Sequence, residues 1–113
     1  MLRSSPAARP AEPTRAEVDA MPGAVVLELG ASWCGFCQRA RPLVDGALAG
    51  RPDVTHIWIE DGPGKPLGRS FRVKLWPTLI FLRDGREVGR LVRPTSATQL
   101  ADQLARLPPA AAQ

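Results

Sequence analysis

The sequence predicts an α/β sandwich, a central mixed sheet of about four to five strands with helices on both faces. Three observations carry that prediction. Ala24-Val25-Val26-Leu27-Glu28-Leu29 is a continuous apolar run rich in branched residues, the pattern of a strand covered on both faces. The elements along the chain read strand, helix, strand, helix, strand, strand, helix. Asp84-Gly85 between two apolar runs is a hairpin signal, so the last two strands should run antiparallel.

Taken in order, residues 1–13 read as a flexible tail of Ala, Pro and Arg, and a single domain spans 14–107. Thr14 with Glu17 three residues later has capping-box spacing, and Val18 and Met21 give the short helix an apolar side. Pro22-Gly23 stops it, and the buried strand follows. A helix is expected from about Cys34 to Ala49, with Leu43, Val44, Ala47 and Leu48 on its apolar face and Pro42 introducing a kink. Val54 to Glu60 reads as a second strand in which His56 and Trp58 alternate with Ile57 and Ile59. Gly62-Pro63-Gly64 breaks that pattern before a short helix over Pro66 to Phe71. Thr78 to Leu82 and Glu87 to Val92 are the hairpin strands. Thr95 or Ser96 then caps a closing helix bearing Leu100, Leu104 and Leu107. Pro108-Pro109 ends it, and 108–113 read as a disordered tail.

Composition narrows the function. A formal net charge of +4 raises nucleic acid as a partner, and basic residues gather between Lys65 and Arg93. They are spaced rather than clustered and accompany no binding motif, so a solvated face that favours acidic partners is the better reading, without nucleic acid. No apolar run approaches the roughly 20 residues of a membrane span, and the opening residues lack the apolar core of a signal peptide. A cytoplasmic location is therefore expected, in a compartment where two cysteines seldom form a structural staple; a monomer is the expected state.

Those two are Cys34 and Cys37, in Ser32-Trp33-Cys34-Gly35-Phe36-Cys37. The spacing admits a redox couple, half a zinc site or coincidence. Zinc needs about four N, S or O ligands, and His56 is the one histidine, so no metal is expected. The pair follows a buried strand and opens a helix, where unpaired N–H groups and partial positive charge stabilise a thiolate. Cys34 is thereby the nucleophile and Cys37, one turn on, the resolving thiol. The couple itself would be the redox centre, with no further cofactor. Glu28, a carboxylate in an apolar strand below the pair, is suited by burial to take the proton of Cys37.

At these residues the chain resembles the thioredoxin family, from about Val25 to Leu104. Trp33, Gly35 and Pro42 fall where the family has them around the C-x-x-C, Trp76-Pro77-Thr78 looks like its cis-proline loop, and Asp84-Gly85 matches its final turn. The resemblance implies a thioredoxin-like fold and reduction of protein disulfides, with electrons from a thioredoxin-reductase-type flavoprotein or glutathione. It puts Glu28 at the family's buried acid, His56 near its buried lysine, and Trp33, Gly35, Phe36, Trp76, Pro77, Thr78 and Arg93 on the substrate surface.

Departures from the family qualify this. Gly35-Phe36 replaces Gly-Pro between the cysteines, predicting a less reducing couple than thioredoxin's. Gly30 stands for a tryptophan, leaving room for the extra methylene of Glu28. Trp76 replaces a small aliphatic residue, and Arg93 stands where the family has a groove-lining glycine. The N-terminal portion is shorter and more Pro-rich than the family's opening strand, which leaves both a four- and a five-stranded sheet open. A second functional class stays open: an adaptor that binds partners through Trp33, Phe36 and Trp76 without turnover.

Overall fold

The computed structural model describes residues 12–109; the tails read over 1–13 and 108–113 lie mostly outside that range. Eight elements follow in order: α1 (Arg15–Asp19), β1 (Ala24–Gly30), α2 (Gly35–Ala49), β2 (Thr55–Glu60), α3 (Pro66–Ser70), β3 (Thr78–Arg83), β4 (Arg86–Val92) and α4 (Ala97–Ala105). Among the described residues the sheet has four strands in the order β2-β1-β3-β4, with β1 parallel to β2 and antiparallel to β3, and β3 antiparallel to β4.

Local chemistry sets the ends of these elements. Thr14 and Glu17 form the reciprocal capping box at α1, and Ser96 with Gln99 forms another at α4. Helix α2 continues through Pro42 to Ala49. Asp84 and Gly85 both have positive φ, 51° and 80°, as a two-residue hairpin turn of the primed type requires. Gly85 is doubly constrained, since a Cβ there would run into the Asp19 carbonyl.

Strand β1 is buried along its whole length, and its alternation divides the core in two. Val25, Leu27 and Leu29 join Val18, Ile59, Leu67, Phe71, Ile80 and Leu82 on the face covered by α1 and α3. Ala24 and Val26 face α2 and α4, with Ala40, Val44, Phe81, Leu100, Leu104 and Leu107. Burying a leucine or phenylalanine in such layers contributes about 1.5–3 kcal/mol each. Glu28 shares the parity of Ala24 and Val26 and therefore points under α2. Among the described residues no helix is long and apolar enough to cross a membrane.

Arg51 closes the α2/α4 side. Its guanidinium donates to the Leu104 carbonyl at 2.8 Å and the Leu107 carbonyl at 2.7 Å, while Asp53 accepts from it at 2.9 Å. The Leu104 carbonyl also accepts from the Leu107 amide at 2.9 Å, so Arg51 ties the end of α4 to the residues that follow it, where Leu107 is buried.

Candidate active site

The chain leaves β1 at Gly30 and turns at once, the Cys34 N–H donating to the Ala31 carbonyl at 3.0 Å. Cys34 is the N-cap of α2 with extended backbone, φ −81° and ψ 124°, so its sulfur sits over the unpaired amides of the first turn. Cys37 lies one turn later, and both are free thiols buried with Ala31 between Trp58 and Trp76. Burial works against a Cys34 thiolate, but hydrogen bonds from the Cys37 amide and thiol and the Phe36 amide, with the charge of Arg93, outweigh it and bring its pKa down. Cys37 moves the other way. Burial above all, with the hydrogen bond and charge of Cys34 and the charge of Glu28, pushes it up to about 11, against an opposing hydrogen bond from the Ala31 backbone that is second only to burial. Two cysteines three apart thus differ sharply in acidity because one caps the helix and the other lies beneath it.

Glu28 is 1% exposed. Its Oε1 lies 2.7 Å from Nε2 of His56, whose side chain is 29% exposed, and its Oε2 is buried with no partner among the described residues. The β1/β2 register sets Glu28 opposite Trp58 and Val26 opposite His56, so the contact is a diagonal one across parallel strands. The room expected at Gly30 is already filled: an added Cβ there would stand 2.6 Å from Cys37 Sγ and 2.9 Å from the Trp58 ring. Trp58 of the neighbouring strand, not the longer side chain of Glu28, takes the space.

The Trp76–Pro77 bond is cis, and the Trp76 carbonyl oxygen lies 4.0 Å from Cys34 Sγ. Thr78 holds the loop from behind, its hydroxyl donating to the Leu75 carbonyl at 2.6 Å. Trp33 is 73% exposed and meets Trp76 edge to face, with ring centroids 5.6 Å apart. Phe36 is also exposed, and Gly35 beside it leaves its would-be Cβ 3.3 Å from the Arg39 guanidinium. Arg93 has positive φ, 51°, and its amide donates to the Pro77 carbonyl at 2.9 Å. Its Nε donates to the Trp76 carbonyl at 2.8 Å, and its guanidinium lies 3.7 Å over the Phe36 ring. The structure therefore gathers Cys34, Cys37, Trp33, Gly35, Phe36, Trp76, Pro77, Thr78 and Arg93 at one end of the sheet, with Glu28 below.

Sequence reasoning missed the supports of this arrangement. Glu60 accepts from the Ser32 amide at 3.0 Å and from the Trp58 indole at 3.2 Å. Asp61 accepts from the Trp76 indole at 2.9 Å, and Arg41 covers the Trp58 ring at 4.7 Å. One signal was available: Glu60-Asp61 closes the strand parallel to β1, and the carboxyl ends of parallel strands are where such sites collect. Among the described residues no group of three or more His, Cys, Asp or Glu side chains converges as a metal site.

The thioredoxin family model matches residues 10–106. Thioredoxin 2 from Pseudomonas aeruginosa PAO1, solved in its reduced form, is 52% identical with a TM-score of 0.78, covering 85% of this chain and 89% of that one. Thioredoxin H2-1 of Oryza sativa subsp. japonica is 38% identical over 69 residues, 60% of this chain and 49% of that protein. Thioredoxin of Chlamydia trachomatis is 33% identical over 70 residues, covering 62% of this chain and 69% of that protein. The chain spans about half the length of the first plant relatives it matches. With most of its length under the family model and the same fold in a structure 52% identical to it, the chain belongs to the thioredoxin family.

Proposed function

We propose that the chain is a thiol–disulfide oxidoreductase that reduces disulfides of protein substrates. The observation that carries this is the placement of Cys34 as the cap of α2, its thiolate favoured by the first-turn amides, with its sulfur against the Trp76 carbonyl beside Pro77. The Cys34 thiolate attacks one sulfur of the substrate disulfide, and the other sulfur leaves as a thiolate that takes a proton from water. Cys37 then loses its proton, attacks Cys34 Sγ and expels the second substrate thiol, leaving a Cys34–Cys37 disulfide. Two electrons pass to the substrate. The unpartnered Oε2 of Glu28 is the acceptor for the Cys37 proton, and His56 carries it onward to solvent.

The couple is its own redox centre and requires no added cofactor. A flavoprotein reductase or glutathione returns it to the dithiol. A monomer in a reducing, cytoplasmic setting suits a chain whose two cysteines both stand at the site. The Gly35-Phe36 dipeptide supports a couple less reducing than thioredoxin's; a potential at or below thioredoxin's in a thioredoxin redox titration refutes that.

Insulin reduction driven by dithiothreitol tests the assignment. The wild type is expected to turn over, Cys34→Ser to be inactive, and Cys37→Ser to accumulate mixed disulfides. Trapping by Cys34→Ser instead would reverse the two roles. The exposed Trp33 and Phe36 support a second reading, an adaptor that holds partners by this patch. Wild-type inactivity, or activity unchanged in Cys34→Ser, favours the adaptor.

A further inference from the structure

Beside the nucleophile, the structure places positive charge that the exchange reaction itself does not use. Phe36, Arg39, Leu43, Arg93 and Thr95 border a cleft of about 260 Å³. The Phe36 ring lies under two guanidiniums, Arg93 at 3.7 Å and Arg39 at 4.8 Å. Among the described residues, neither forms an ion pair with a carboxylate. Elsewhere Arg90 is held by Glu87 and the Phe71 carbonyl and Arg51 by Asp53, while Arg41 on the other side of the cysteines lies over the Trp58 ring.

Arg93 is also fixed. It adopts a left-handed backbone conformation that residues other than glycine seldom adopt, a kind of strain that collects at functional sites. Its amide is tied to Pro77 and its Nε to Trp76, which holds the guanidinium at the border of the cleft with one face against Phe36. Cys34 Sγ contacts the same Trp76 carbonyl oxygen at 4.0 Å. Sulfur and guanidinium are thus separated by no more than those two contacts end to end, within the reach of one or two residues of extended chain.

We infer that the Arg39–Phe36–Arg93 cleft binds a carboxylate carried next to the attacked cysteine, so that Arg93 selects acidic disulfide peptides as substrates. The inference rests on the exchange activity proposed above and names its substrate class. A guanidinium with a fixed plane and its two terminal amino groups free suits a carboxylate, and the apolar ring beneath it lowers the cost of partial desolvation. An incoming peptide meets a Trp76 carbonyl already engaged by Arg93, and gains a charge-assisted partner in exchange. A lysine near the substrate cysteine would face two like charges.

The probes are short peptides Gly-X-Cys-X-Gly bearing a 2-pyridyl disulfide on cysteine, with X as Glu, Gln or Lys. Attack by Cys34 on the peptide sulfur releases pyridine-2-thione, followed by its absorbance. At low salt the second-order rate constant should favour Glu over Lys about tenfold, with Gln between, and the ratio should shrink as salt rises. Arg93→Gly fits the left-handed backbone and should bring the ratio down to about two, while Arg93→Lys keeps most of it. Because all peptides meet the same thiolate, the ratio does not depend on changes in Cys34 acidity. Arg86→Gln, equal in net-charge change but at the far end of β4, should leave it intact. A ratio near one in the wild type, or one that survives Arg93→Gly, overturns acid selection. Release of no pyridine-2-thione from any peptide overturns the exchange reading beneath it, whereas equal release from all three overturns the selection alone.

Discussion

Replacing Gly30 with alanine puts one methyl group where the active site has no space for it. The new Cβ would stand 2.6 Å from Cys37 Sγ, and 2.9 and 3.3 Å from two atoms of the Trp58 ring, against ordinary contacts of about 3.5–4.0 Å. Trp58 has little room to withdraw, tied through its indole to Glu60 and covered by Arg41. Cys37 is fixed in the first turn of α2, where its rotamers are few, and turning the sulfur away takes it off Cys34. Overpacking of this kind costs about 1–3 kcal/mol. At roughly 2 kcal/mol the melting temperature of the reduced protein should fall by about 10 °C for a domain of this size. The chemical consequence is separate: attack by Cys34 proceeds, but ring closure by the displaced Cys37 slows, and the mixed disulfide builds up. Calorimetry and acid-quenched mass spectrometry with a peptide disulfide read the two effects. Trp58→Leu in the same background should recover much of the loss, since neighbouring sites couple. A melt within 2 °C of wild type, with no accumulated mixed disulfide, would refute this packing argument.

Four further outcomes are expected from the structure. Iodoacetamide alkylation of Cys34 should rise with pH at a midpoint below that of a free cysteine, while Cys37 stays unreactive until pH approaches about 11. The raised Cys37 pKa contributes stability that is present below about 9 and lost as pH rises through about 11, so denaturant midpoints of the reduced protein should fall across that window. Cys34, with its pKa lowered, acts oppositely: its contribution is present above about 9 and fades as pH falls through the folded value. Glu28→Gln should slow resolution by about a hundredfold while sparing the first attack, which pre-steady-state trapping of the mixed disulfide distinguishes; equal slowing of both steps would argue against a proton role. Arg51→Ala removes the charged donors to Leu104 and Leu107 and should cost about 2 kcal/mol in urea denaturation, leaving insulin reduction at room temperature intact.

What the sequence made legible depended on how locally each feature is encoded. The Cys34–Cys37 spacing, the buried run ending at Leu29 and the Asp84-Gly85 turn are each written in consecutive residues, and the structure keeps them within a residue or two. The burial of Glu28 was readable because an acid within a two-faced apolar strand has nowhere else to point. The filling of the Gly30 space by Trp58 was not, because it depends on which residue of β2 the register sets beside the β1 end. The support of Trp76 by Asp61 and the guanidinium of Arg93 over Phe36 are likewise contacts between distant segments. Charge spacing alone made the basic residues look like a solvated face, yet Arg90 and Arg93 each commit one donor to a backbone carbonyl.

The Trp76-Pro77 loop is held on three sides before any client arrives: the indole by Asp61, the carbonyl by Arg93, and the following Thr78 by Leu75. A loop so braced has little conformational entropy left to surrender on binding. Its backbone should move little when a mixed disulfide forms. Discrimination among clients would then fall to the peptide, which must bring its own extended segment and its own cysteine into a frame that does not adjust to it.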